Sequence, residues 1–427
     1  MSAAAAPIGA IARIQHTLRE YRALDRRVHW LALARAVNTV GFSIVLPFMA
    51  IYLHKTRGVS GFGYGAIYFA AGVASALAQG LAGELADRFG RRVVMLTGLG
   101  SRAVNLAALG YAIERHAPVP WLAGLVISNA MLRGLFDPAA AAAVADLTEP
   151  SRRVAAYGLQ KIGINLGWAV GPALGGYLTA GSYGTMFYFA APVTLGAAVL
   201  CWQVRDADLR REVAARGEAE VPTPAPPGFS NQFLALIGLA FLMSVGVTQI
   251  FSTLSIYSEE LLGLGRSQVG LLYTINGVIV VAMQIPAVAM IGRIGVARAL
   301  VAGPLMYALG YLMFGLAGGF GELAPVVVFI TLGEIMMSPA QTSTAADLGD
   351  PARIGRSMGM FGLAQQLGVS VGPLVGGLCI DHLGHHHVRM WAVLAGLPML
   401  VAIGYAALAR RIVRAGRAGR AGRAAAG

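Results

Sequence analysis

Charge is what this chain has least of. Only 12% of its 427 residues are Asp, Glu, Lys or Arg, against about 25% in a soluble globular protein. With 56% hydrophobic residues and a mean hydropathy of +0.65, that scarcity excludes a pair of soluble domains and selects a polytopic membrane protein. Cysteine is nearly absent. Cys201 and Cys379 both lie in apolar runs, so neither a disulfide framework nor a Cys-based metal site is indicated. There is no P-loop and no nucleophile–base constellation, which speaks against ATP use and enzymatic chemistry, and no cofactor is expected. Acids are outnumbered, 20 against 33 Lys and Arg, for a formal net charge of +13. Such an excess also suits nucleic acid, so the placement of the basic residues has to decide.

Twelve apolar segments of helical length are present. The first six run over about 30–53, 63–86, 93–113, 121–146, 154–179 and 184–204. The second six run over about 232–257, 267–289, 298–318, 324–347, 357–380 and 390–410. The chain therefore divides into an N-terminal segment (1–29), a six-helix unit (30–204), a linker (205–230), a second six-helix unit (231–410) and a basic tail (411–427). In the N-terminal segment Ile8, Ile11, Ile14, Leu18, Tyr21 and Leu24 recur at helical spacing, as in an amphipathic helix lying on a membrane, and no signal-cleavage site follows. The linker is polar and proline-rich, and the Arg-Ala-Gly repeats of the tail predict disorder.

Twelve crossings put both termini and the linker on one side. The opposite loops hold only Lys55, Arg57, Arg115, Arg266 and Arg389, and Arg35, Arg102, Arg133 and Lys161 fall inside spans. The bias predicts cytoplasmic termini. The basic residues are then a topology signal, and nucleic acid is not an expected partner. The lipid bilayer is.

One pattern occurs twice. Gly158-x8-Gly167-x3-Gly171-Pro172-x2-Gly175-Gly176 returns 201 positions later as Gly359-x8-Gly368-x3-Gly372-Pro373-x2-Gly376-Gly377. Glycines at these spacings leave a flat helix face for close packing, and the prolines free a backbone carbonyl and permit a bend. The recurrence marks a duplicated chain.

The loop between the second and third spans reads Gly83-Glu84-Leu85-Ala86-Asp87-Arg88-Phe89-Gly90-Arg91-Arg92. It resembles the cytoplasmic loop motif of the major facilitator superfamily, and span number, linker and repeats agree over nearly the whole chain. The resemblance implies an all-α membrane fold of two six-helix bundles around a central cavity, working by alternating access. It also implies a monomer in a bacterial plasma membrane. Asp87, Arg88, Arg91 and Asp146, with Gly83 and Gly90, would form a cytoplasmic gate network, Asp87 facing Arg356 at the start of span eleven. The Gly171-Pro172 and Gly372-Pro373 pattern resembles the family's antiporter motif. With an offset of 205, Tyr68, Gly72, Gln79, Arg88 and Gly90 fall on Tyr273, Gly277, Gln284, Arg293 and Gly295, while Asp87 falls on Gly292. A latch built on Asp87 is thus one-sided.

The 201 offset sets Arg133 of span four against Glu334 of span ten. Repeats related by an axis along the membrane normal place the two at equal depth on opposite cavity walls. Charges at that depth are costly and functional by default. Asp137 is one turn from Arg133 and able to pair with it, with Arg102 as a second possible partner. Glu334 resembles the span-ten acid of bacterial multidrug antiporters and proton-coupled peptide transporters. Glu334, Asp137 and Arg133 are accordingly the expected proton-coupling group. Expected cavity residues are Arg35 and Asn38 of span one, Tyr64 and Tyr68 of span two, Met243, Gln249 and Phe251 of span seven, and Tyr273 and Asn276 of span eight. His382, His385, His386 and His387 form a solvated outer loop, with no metal expected.

The resulting expectation is a proton-coupled exporter of amphipathic small molecules. A proton-coupled importer, for example of peptides, is the alternative. It is weakened because span one reads Ala34-Arg35-Ala36-Val37-Asn38 and lacks the E-x-x-E-R motif of peptide transporters. A non-transporting scaffold would have no need of the intramembrane charges.

Overall fold

A computed structural model describes residues 19–149, 152–179, 181–205, 229–349 and 354–425. Most of the predicted surface helix and nearly all of the linker lie outside these residues. The described chain is helical with short turns and contains no strand. Its first half holds α1 (Arg26–Thr56), α2 (Gly61–Phe89), α3 (Arg91–Glu114), α4 (Val119–Leu147), α5 (Arg153–Leu178) and α6 (Tyr183–Cys201). Its second half holds α7 (Asn231–Leu261), α8 (Arg266–Ile294), α9 (Val296–Leu316), α10 (Phe320–Leu348), α11 (Ile354–Leu383) and α12 (His387–Ala425). Among the described residues, ten segments are long and apolar enough to cross a membrane, one of them running over both α11 and α12.

Local chemistry sets the helix ends. Asp25 accepts the Arg27 amide at 2.7 Å and Ser60 the Gly63 amide at 3.0 Å, each satisfying an otherwise orphaned first-turn donor. The α2–α3 and α8–α9 connections are a single glycine each, Gly90 at φ 100° and Gly295 at φ 89°, a conformation that side chains resist. The tail expected to be disordered instead continues α12 to Ala425. Alanine and arginine are strong helix formers, and the helix is already nucleated upstream.

α1 and α7 are interrupted in parallel ways. Each ends in one π-helical turn, Tyr52–Thr56 and Tyr257–Leu261, again 205 residues apart. Such turns often mark functional places in a helix. Here they face each other. Lys55 Nζ lies 3.3 Å from Glu259, and His54 Nε2 lies 3.5 Å from Glu260. A basic turn in one half thus meets an acidic turn in the other.

Within the first half α1 packs on α5 and α6, α2 on α4, and α3 on α4 and α6. Within the second, α7 packs on α11 and α12, α8 on α10, and α9 on α10 and α12. The main joins between halves are α2 with α11 and α5 with α8. Glycines of the repeat serve both kinds of packing. Gly167, Gly171 and Gly175 sit on α1, and Gly368, Gly372 and Gly376 sit on α7, within their own halves. The last glycine of each copy looks the other way, Gly176 against the backbone of Arg266 and Ser267 and Gly377 against Gly61. Gly65 and Gly270 rest on the backbone at Pro373 and Pro172, and Gly72 and Gly277 meet Ser370 and Ala169. Both joins lie at the end of the molecule away from the chain termini.

Candidate substrate cavity

The seal at that end is strengthened by a residue the sequence reading missed. Asp381 of α11 accepts the backbone amides of Gly61 at 2.6 Å and Phe62 at 2.7 Å, so a carboxylate from one half caps the first turn of a helix in the other. Each such bond to a charged acceptor contributes about 2 kcal/mol. Asp381→Ala is therefore expected to loosen the seal. In a background lacking Cys379, a cysteine placed at Tyr68 should react several-fold faster with an impermeant thiol reagent added from that side.

At the terminus end the halves are apart. Gly80, Gly83, Gly292, Gly359 and Gly362 border open space, and the Asp87 side chain is 69% exposed. Asp87 is paired with Arg91, whose Nε lies 3.2 Å from Asp146. The expected Asp87–Arg356 contact is not made, because Arg356 stacks on Phe229 at 4.8 Å. Arg88 does not join the network either; its guanidinium lies 5.3 Å from the Phe89 ring centroid.

Between seal and opening lies a cavity of about 420 Å3, lined by α1 to α7 and α11. Arg35, Asn38, Tyr68, Arg133, Asp137 and Phe251 line it as expected. Phe42, Arg102 and Trp168, which were not expected there, line it too. Arg133 lies over the Phe42 ring at 4.5 Å. Phe42 meets Trp168 edge-on at 5.9 Å, and Trp168 meets Phe251 at 4.7 Å, so an aromatic row crosses from one half to the other.

Five expected lining residues are elsewhere. Met243 and Tyr64 are buried to 1% and 0% exposure in the core. Gln249 is wholly buried and donates to the Gly372 carbonyl at 2.9 Å, a packing role on the flat face of the repeat. Asn276 turns away from the cavity and donates to Thr331 at 2.8 Å and to Glu334 at 3.3 Å. Tyr273 stacks behind Phe251 at 5.7 Å and donates to the Ile250 carbonyl, which makes it a support for the lining.

The proton-coupling group is also arranged differently. Asp137 pairs with Arg35 at 2.7 Å, across two helices, and not with Arg133 one turn away or with Arg102. Arg102 is 1% exposed and donates to Asn38 and Asn129. Glu334 does not face Arg133. Its carboxylate is held by Asn276, lies beside the Tyr307 hydroxyl, and is within electrostatic reach of Lys161 of α5. Equal register fixes equal depth but not the same direction around the helix, and Glu334 points toward α8 and α9.

Comparison with known proteins agrees with this architecture. The Major Facilitator Superfamily model matches residues 31–373 and, in a second match, 240–426. The chain is 29% identical over 367 residues to the uncharacterized MFS-type transporter YqjV of Bacillus subtilis, covering 84% of this chain and 87% of that one. It is 26% identical over 359 residues to the multidrug resistance protein MdtH of Proteus mirabilis, covering 83% and 86% of the two chains. A crystal structure of the peptide transporter POT in complex with sulfate superposes with a TM-score of 0.71 at 15% identity, covering 93% of this chain and 99% of that one, a likeness of fold. The cavity walled by both halves, the loop at Gly90 and these matches lead to one conclusion: the chain belongs to the Major Facilitator Superfamily of membrane transporters, and it is not an enzyme.

Proposed function

We propose that this protein is a proton-coupled exporter of amphipathic small molecules in the bacterial plasma membrane. Its twelve spans form two six-helix bundles, with both termini in the cytoplasm. In that topology the sealed end is external, and the structure described above is open to the cytoplasm, the state that loads an exported substrate. The observation that carries the reading is Glu334. Its carboxylate sits at membrane depth against the neutral donor Asn276 instead of in an ion pair. Such an acid can take up and release a proton as its surroundings change between the two states. Export accords with the multidrug resistance names of several relatives.

Alternating access supplies the change. Closing the cytoplasmic end brings Asp87 toward α11, where Arg356 can trade its aromatic neighbour for the carboxylate. Opening the outer end parts the Gly61–Gly377 and Gly176–Arg266 contacts. Lys161 moves with the first half and Glu334 with the second, so their mutual attraction differs between the states.

The test is transport in liposomes carrying purified protein under an imposed pH gradient, with a panel of amphipathic solutes. Accumulation against the solute gradient, reversed when the pH gradient is reversed, is the expected result. Transport indifferent to the pH gradient would remove proton coupling from the reading.

A further inference from the structure

We infer that the cavity selects organic anions: molecules with a flat apolar body and one carboxylate, sulfonate or phosphonate group, the anionic group seated at Arg133. The inference rests on the cavity being the transport site. It goes beyond the proposed function by naming the charge of the substrate.

Charge balance is the first observation. Among the described residues lining the cavity, Arg35, Arg102 and Arg133 face a single acid, Asp137. That acid is committed to Arg35 at 2.7 Å. Arg102 hydrogen-bonds to side-chain amides, Asn129 Oδ1 at 3.4 Å and Asn38, and its guanidinium lies 5.9 Å from the Phe42 ring centroid. Among the described residues Arg133 has no carboxylate partner; its Nε is buried without a hydrogen bond, and its guanidinium rests on the Phe42 ring. Arg102 and Arg133 are close enough to repel each other. Two uncompensated cations in an apolar enclosure are costly, and the cost is relieved by an anion that accepts from both nitrogens of a guanidinium edge. Glu334, outside the lining, is turned toward Asn276 and Lys161 and pairs with neither arginine.

Geometry is the second. Arg133 stands at the head of the row Phe42–Trp168–Phe251, and the rest of the lining is mainly apolar. A planar hydrophobic body laid along that row places its charged end at the guanidinium. A lipophilic ammonium ion in the same pose would bring a third uncompensated positive charge to Arg102 and Arg133.

The experiment uses three probes of one shape: 2-naphthoate, 2-naphthamide and 2-naphthylmethylammonium. Binding to the purified full-length protein is read by quenching of Trp168 fluorescence, with Trp168→Phe as the blank for the other tryptophans. Naphthoate should bind at least tenfold more tightly than either analogue. Arg133→Gln should bring the three within about twofold, and Arg133→Lys should keep part of the preference, since a lysine retains the charge without the fork. Equal or tighter binding of the ammonium or amide to the unmodified protein overturns the inference, as does an anion preference untouched by Arg133→Gln. So does the absence of binding by all three at millimolar concentration. The series on unmodified protein decides the matter even if Arg133→Gln does not fold. No pH gradient is involved, so loss of proton coupling in liposomes would sink the exporter reading and leave this result standing. The reverse also holds.

Discussion

Glu334→Gln is expected to cut pH-gradient-driven transport by more than tenfold while leaving insertion, folding and substrate binding close to normal. Glutamine has nearly the volume of glutamate, and its carbonyl oxygen can accept the same Asn276 amide that the carboxylate accepts at 3.3 Å. What it cannot do is release a proton. The protein should therefore still exchange substrate down its own gradient, because neither the aromatic row nor Arg133 touches position 334. Comparing counterflow with gradient-driven uptake in the same liposomes separates the two. If both persist at wild-type rates, Glu334 is a structural acid and coupling resides elsewhere, with the Arg35–Asp137 pair as the next group to test.

The second large effect is steric. Gly377→Val should trap the protein with the end away from its termini, external in the proposed topology, unsealed and abolish transport, although the chain should still insert. A side chain at Gly377 runs into the Gly61 carbonyl oxygen and the Phe62 amide, that is, into backbone that cannot rotate aside. Forcing extra atoms into such a contact costs about 1–3 kcal/mol. The cost falls on the outer-closed state alone, and at the upper end it shifts the two-state equilibrium by more than a hundredfold. The predicted readout is fast labelling, from outside, of a cysteine at Tyr68. Gly359 is the control. It begins the same repeat, but a Cβ there meets nothing within 4 Å. Gly359→Ala should be silent in transport and slightly stabilising, by about 0.5–1 kcal/mol for helix propensity.

The contrast between Gly359 and Gly377 also shows what a sequence can carry. Their shared motif announces close packing, and close packing is found at Gly368, Gly372 and Gly376. Which partner each glycine meets depends on the turn of the helix, and that follows from how the halves close on each other. Helix positions were readable because twenty apolar residues in a row have few other fates. The 205 offset carried information that went unused: His54-Lys55 in one copy stands where Glu259-Glu260 stands in the other, and opposite charges at equivalent places announce a meeting between halves. Trp168, adjacent to Gly167 of the motif, had no such signal. For Glu334 and Arg133 the offset matched positions along two helices but could not give the facing direction, because a shift along the chain says nothing about which neighbour offers a hydrogen bond. Asn276 did, and no spacing linked it to Glu334.

The seal built on Gly61, Gly65, Gly176, Gly270 and Gly377 has one more consequence. Closing a gate made of long side chains freezes their rotamers, at up to about 2 kcal/mol each, and that cost returns on every cycle. Glycine has no rotamers to lose. Where these helices touch through bare backbone, the outer end can shut tightly without spending conformational entropy and reopen without having to disentangle side chains. A carrier that must cross its barrier in both directions on each turnover gains a joint whose two states differ little in disorder, which leaves what is bound in the cavity to decide between them.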